Sequence, residues 1–234
     1  MTQLFLVRAE LRRDVPAVAL AELLVPREGG AQVEAAHRLV WSLFADRTDR
    51  RRDFLWRQTG PGGFIVLSAR PPSDQHNLFA LDYKPFAPQL RAGQRLQFSL
   101  RANPVVASAP GKAGQRGKRH DVVMHTLNSV PREQRAAERE ALIRQAGGKW
   151  LARQGALYGF EVDLDRLAID GHDQVRIPRG DLTDRPISFS VLEFDGILVL
   201  HDPEGFQRRL VSGFGAARAF GCGLMLIRRA LAED

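Results

Sequence analysis

Residues 212–227 read SGFGAARAFGCGLMLI, and the order of what surrounds them decides the fold class. Four glycines and three alanines fall within 213–223, and only Phe214, Arg218, Phe220 and Cys222 keep larger side chains there. A G-x-G-x-x-G fingerprint beginning at Gly213 requires glycine at 218, where the chain has Arg218. The context is also inverted. A dinucleotide-binding loop runs from strand into helix, whereas here a helical segment over 203–212 precedes the glycines and a strand-like apolar run over 223–227 follows them. No G-K-[ST] occurs anywhere, which excludes a Walker loop. Two readings of the stretch remain open. One is tight packing of a loop against a helix; the other is a backbone without Cβ atoms that admits a phosphate, with amides as donors and Arg218 as the charge.

Working outward, SFSVLEFDGILVLHD (188–202) reads as two strands joined at Asp195-Gly196, a common two-residue hairpin signal. Upstream, PREQRAAEREALIRQ (131–145) is a charged helix expected to stop at Gly147-Gly148, with a second helical piece near Trp150–Gln154 and a strand over 158–164. GHDQVRIPRGD (171–181) has a strand or hairpin at its centre. Nearer the N-terminus, Leu4–Ala9 reads as a strand and Ala31–Phe44 as an amphipathic helix with Val33, Ala36, Val40, Leu43 and Phe44 on one face. Phe54–Gln58 and Phe64–Ser68 form a hairpin whose turn, TGPGG, is longer than two residues, and Arg95–Ala102 alternates as a strand ending at Asn103-Pro104. Each half of the chain thus runs through strands, hairpin, helix and strand. The expected fold is α+β: two tandem ferredoxin-like βαββαβ modules of the kind used by RNA-recognition motifs. The first occupies 1–108, a basic connecting loop 109–130, and the second 131–234.

Composition narrows the partners. The chain has 234 residues, 44% of them apolar, and Lys and Arg exceed Asp and Glu by 34 to 27, a net charge of +7. The excess is mostly arginine, whose planar fork suits phosphates, so a nucleic acid is the first expected partner. The apolar runs are strand-sized, which argues against a membrane span. Arg8 interrupts the N-terminal apolar run before a signal-peptide core is complete. One cysteine, Cys222, leaves no internal disulfide, and the expected compartment is the cytoplasm.

Six histidines offer no i, i+4 pair and no neighbouring cysteine, so neither a metal site nor a small-molecule cofactor is expected. His37 is the one with an ordered setting: it lies at the edge of the first helix's apolar stripe, about 60° around the helix from Glu34. Two readings stand: a half-buried structural histidine, or a proton-transfer group titrating near neutrality beside a carboxylate. Lys112, Arg116, Lys118 and Arg119 lie within eight residues that hold no acid, and Arg176 and Arg179 project from the 170–186 segment; either group suits phosphates. DRTDRRRD (46–53) mixes both signs and reads as an exposed turn.

Taken together, AHRLVWSLF (36–44), RRDFLWR (51–57), FSLRANP (98–104), GKRHD (117–121), SFSVLEFDGILVLHDP (188–203) and GFGAARAFGCGLM (213–225) resemble the CasE family of CRISPR-associated endoribonucleases over nearly the whole chain. The resemblance implies two ferredoxin-like modules. It also implies metal-independent cleavage of precursor CRISPR RNA at the base of the repeat stem-loop, with the product hairpin kept by the enzyme as a subunit of the Cascade complex. In such a reaction the 2′-hydroxyl attacks the adjacent phosphorus, giving a cyclic phosphate and a 5′-hydroxyl. The family's first-helix histidine falls on His37, which makes it the catalytic candidate. Its tyrosine three positions earlier falls on Glu34, which accepts but does not donate a hydrogen bond when ionised. If Glu34 takes part, His37 is expected to act more as acid than as base. Lys112, Arg116, Lys118, Arg119, Arg176, Arg179, Gly213, Gly215 and Arg218 are the expected RNA-binding set. The replaced tyrosine keeps a second reading open: a non-cleaving RNA-hairpin-binding subunit.

Overall fold

The computed structural model describes residues 3–14, 29–47, 50–107, 119–177 and 186–230. Its chain divides into two compact units: residues 1–89, 175–188 and 217–224 form the first, and 90–174, 189–216 and 225–234 the second.

The first unit is built on β1 (Phe5–Leu11), α1 (Gly29–Ser42), β2 (Phe54–Gly60), β3 (Gly63–Ser68) and β4 (Phe79–Pro85). All pairings described are antiparallel, in the order β2-β3-β1-β4. This is the ferredoxin-like order. Along β1, Val7 and Ala9 are buried while Arg8 and Glu10 point outward and pair with each other, the period of two expected of a half-buried strand. Ala36, Leu39, Val40 and Leu43 recur at helical spacing and close over Val7, Phe54, Trp56, Phe64, Val66 and Phe79 to form one core. The β2–β3 turn is tighter than expected. The strands run to Gly60 and from Gly63, leaving Pro61 and Gly62, and a register shift between Gln58 and Gly60 absorbs the extra residue.

The second unit contains β5 (Arg95–Ala102), β6 (Val105–Ala107), β7 (Arg119–Asp121), α2 (Val122–Asn128), α3 (Arg135–Tyr158), β8 (Phe160–Val162), most of β9 (Ala168–Ile177) and β10 (Ile187–Leu200), then α4 (Pro203–Ser212) and β11 (Met225–Arg229). Its main sheet has the order β11-β5-β10-β8, and β9 pairs with β10. Numbered from β5, with β8, β10 and β11 as the second, third and fourth strands, this is again the ferredoxin-like order. The sequence reading grouped Arg95–Ala102 with the first module, but its partners are β10 and β11.

Two sequence expectations fail here for the same reason, a glycine that serves packing instead of ending an element. α3 continues through Gly147-Gly148, and a Cβ on Gly147 would sit 3.1 Å from Ile169 and 3.2 Å from Leu192, so the glycine lets the helix pack closely there. Asp195-Gly196 is no hairpin turn. β10 runs straight through it, pairing Asp195 with Ser99 and Gly196 with Phe98. The true helix stop is Gly159, at φ 75°, and Asp202 caps α4 by accepting from the Gly205 amide at 3.0 Å.

Candidate functional site

α1 places His37 at the rim of its apolar stripe, half-buried between core and solvent. Its ring lies beside Trp41, with centroids 6.1 Å apart and planes at 25°, and beside Phe220, at 5.7 Å and 45°. Nδ1 is 2.6 Å from the carbonyl oxygen of Ala219. A carbonyl only accepts, so Nδ1 carries a hydrogen whether the ring is neutral or charged. Nε2 is therefore the nitrogen that takes up and releases a proton.

The glycine stretch supplies that carbonyl. Ala217 and Gly221, at φ 51° and 78°, are both left-handed and bracket a short 3₁₀ turn over Arg218–Phe220, which packs on α1 and β2. Trp56 Nε1 donates to the same Ala219 oxygen at 3.0 Å, so one carbonyl joins β2 to the histidine on α1. A Cβ on Gly221 would come within 3.2 Å of the Trp56 ring.

The other expected site residues that are described lie on several elements. Glu34 pairs with Arg38 at 3.4 Å across one helical turn. The carbonyl of Arg176, near the end of β9, lies against Gly30 at the start of α1, where a side chain would collide with it. Arg119 is exposed on β7, opposite Ala107. Gly213, at φ 80°, ends α4, and Gly215 packs against Asn103, whose carbonyl would stand 2.5 Å from an added Cβ. Within the second unit, then, a positive φ at the helix end accounts for Gly213 and tight packing for Gly215. Arg218 belongs to the first unit and follows Ala217 into the turn that holds His37. Lys112, Arg116, Lys118 and Arg179 lie outside the described residues.

Sequence reasoning missed Trp56, Phe220 and the Ala219 carbonyl. It also read 46–53 as an exposed turn, but Arg52 is half-buried there and the charge of Arg218 acts on it. Two acids of that segment, Asp46 and Asp53, are engaged elsewhere. Asp46 binds Arg50 and Arg70, and the Arg50 hydrogen bond leads the effects that hold its carboxyl down at about 2. Asp53 binds Arg70 at 2.8 Å. Among the described residues no three His, Cys, Asp or Glu side chains gather to hold a metal ion, and no helix is long and apolar enough to cross a membrane.

The family described as CRISPR associated protein matches residues 4–229. The Escherichia coli (strain K12) CRISPR system Cascade subunit CasE is 27% identical over 212 residues, covering 88% of this chain and 96% of that protein. Among solved structures, the fold matches Thermus thermophilus Cse3 bound to an RNA representing a pre-cleavage complex, with a TM-score of 0.65 at 23% identity over 97% of this chain and 99% of that one. It also matches the Escherichia coli K-12 CRISPR-associated protein Cas6e, with a TM-score of 0.60 at 18% identity over 97% of this chain and 100% of that one. A match spanning nearly every described element, from β1 to β11, leaves one conclusion: the chain belongs to the CRISPR associated protein family.

Proposed function

We propose that the chain is a metal-independent endoribonuclease that cuts precursor CRISPR RNA at the base of the repeat stem-loop and keeps the product hairpin as a Cascade subunit. The observation that carries this reading is the 2.6 Å contact between His37 Nδ1 and the Ala219 carbonyl. It leaves Nε2 as the exchanging nitrogen on a ring held between Trp41 and Phe220. Support also comes from the relatives: one is named a Cascade subunit, and another was captured with RNA before cleavage.

In the neutral ring, Nε2 accepts the proton of the 2′-hydroxyl as that oxygen attacks the adjacent phosphorus. The bond to the 5′-oxygen breaks, and the imidazolium returns its proton to that leaving oxygen. The products are a 2′,3′-cyclic phosphate and a 5′-hydroxyl, with no water consumed. Arg218, one residue from the Ala219 carbonyl, supplies charge against the phosphorane-like transition state. Glu34 pairs with Arg38 across one helical turn, and the proton path through Nε2 assigns it no step. The basic segment around Lys112, Arg116, Lys118 and Arg119, with Arg176 and Arg179, grips the hairpin through phosphates and shape, because A-form RNA hides its bases in a deep groove.

The test is incubation of the organism's own repeat hairpin in EDTA with the wild type, with His37→Ala, and with a substrate carrying a 2′-deoxy nucleotide at the cut site. Cleavage is expected with the wild type alone on the all-ribose substrate. Wild-type rates from His37→Ala would sink the assignment. Tight binding without any cleavage would establish the non-cleaving subunit instead, the reading that the replaced tyrosine at Glu34 favours.

A further inference from the structure

We propose that Arg52 and Arg218 together form a two-guanidinium seat for one backbone phosphate of the RNA beside His37. The idea rests on the reading of the chain as an RNA-cleaving protein and adds to it a binding residue, Arg52.

Arg52 lies two residues before β2, in the same unit as α1 and the 218–220 turn. Its Nη1 is shut off from solvent and has no hydrogen-bond partner among the described residues. Its neighbours differ. Arg50 forks onto Asp46 at 2.9 and 2.7 Å, and Arg70 reaches Asp53 at 2.8 Å, Asp46 at 2.7 Å and the Phe44 carbonyl at 2.5 Å. Asp46 and Asp53 are thus held by other arginines, and the charge acting on Arg52 is the like charge of Arg218. Burial first, and Arg218 second, lower the pKa of Arg52, although a guanidinium stays protonated.

A buried N–H without an acceptor and a like-charged neighbour both disfavour the folded chain, and such groups concentrate where a ligand completes them. Arg218 stands on the turn that packs on β2 and Arg52 just before that strand, and two neighbouring guanidinium groups match the paired non-bridging oxygens of a phosphodiester. The position fits the chemistry, because Arg218 precedes the residue whose carbonyl orients His37.

Arg52→Met keeps the aliphatic stem and removes the fork. With the repeat hairpin as ligand, it is expected to weaken binding about tenfold and to reduce the slope of log affinity against log salt by about 0.7 to 0.9, the loss of one phosphate contact. Its Tm should equal or exceed that of the wild type, because the orphan donor and the repulsion disappear together. Arg218→Met should act alike, and the double variant should lose less than the product of the two single losses, because one phosphate is shared.

Wild-type affinity and salt slope in Arg52→Met would overturn the seat. If Tm and affinity both fall, Arg52→Lys decides: with stem and charge kept and Tm restored, reduced affinity supports the seat and wild-type affinity overturns it. The two proposals fail separately. Hairpin binding with an Arg52-dependent salt slope but no cleavage retains the seat and removes the nuclease, whereas cleavage and binding indifferent to Arg52 do the reverse.

Discussion

His37 and Trp56 donate to one and the same acceptor: Nδ1 of the histidine lies 2.6 Å, and Nε1 of the tryptophan 3.0 Å, from the carbonyl oxygen of Ala219. One side chain comes from α1 and the other from β2, and the oxygen comes from a turn more than 160 residues further along the chain. Trp56 is 1% exposed, so its ring is fixed by the core and its N–H is aimed by that packing. The tryptophan thereby sets where the carbonyl points, and the carbonyl sets which histidine nitrogen exchanges protons.

Trp56→Phe keeps an aromatic ring in the core and deletes only the N–H. The Ala219 carbonyl retains His37 as a donor but loses its anchor on the sheet. Stability should fall by about 1 kcal/mol, the net worth of one hydrogen bond. The single-turnover cleavage rate should fall about tenfold through misplacement of Nε2, while affinity for the product hairpin stays within about twofold. An equal loss of binding and rate would mean that Trp56 supports the RNA surface as a whole.

Gly221→Ala tests the same turn from its other end. At φ 78° an alanine is strained, and its methyl carbon would lie 3.2 Å from the Trp56 ring. The expected loss is about 1–2 kcal/mol in urea unfolding, with cleavage slowed at least as much as by Trp56→Phe. A variant of unchanged stability and rate would show that the turn does not need its left-handed exit.

Glu34→Gln removes a carboxylate whose partner is Arg38, in a pair whose arginine is exposed and whose glutamate is partly exposed. Exposed helical pairs contribute little. Cleavage should stay within about twofold of the wild-type rate in a single-turnover assay. A tenfold loss would assign Glu34 the role that its position in the family's pattern implies.

The parts of this picture legible in the sequence are those set by local periodicity. The stripe Ala36, Val40, Leu43 and Phe44 located α1, and the two-residue alternation of 95–102 located β5, because burial leaves a regular imprint on apolar spacing. Pairing is not local, and so β5 was grouped with its sequence neighbours when its register is with Leu192–Val199 and Met225–Arg229. Glycine misled for a related reason. Gly147 and Gly196 look like breakers, but each meets a neighbour from a distant element that would crowd a Cβ, Ile169 in one case and the Arg166 carbonyl in the other. The candidate site divides along the same line. His37 was readable from its place on a helix, whereas the group that orients it is a backbone carbonyl, and a carbonyl has no letter in the sequence. Arg52 was hidden among six like and unlike charges in 46–53, since only the fold reveals which arginines have found their acids.

His172 carries the last prediction, about stability and pH. Its side chain is 3% exposed, Nδ1 accepts from Arg139 at 2.8 Å, and Nε2 faces Asp121 across 3.9 Å, too far for a hydrogen bond. Burial holds its pKa below the ordinary 6.5, with Asp121 and Asp173 opposing and Arg139 assisting that shift. The sign follows from proton counting. Below about pH 6.5 the unfolded chain has begun to protonate this ring while the folded chain has not, so the unfolded state binds more protons and stability rises with pH. The contribution is fully present above the unfolded value and is lost as pH falls through the lower folded value, with a slope of at most about 1.4 kcal/mol per pH unit from this one group. Urea unfolding between pH 7.5 and 5 should show that loss in the wild type. His172→Gln, which keeps an acceptor for Arg139 but does not titrate, should give a flatter profile over the same range. Equal slopes in the two proteins would show that the ring is protonated alike in the folded and unfolded states, and that the Arg139 contact does not shut the proton out.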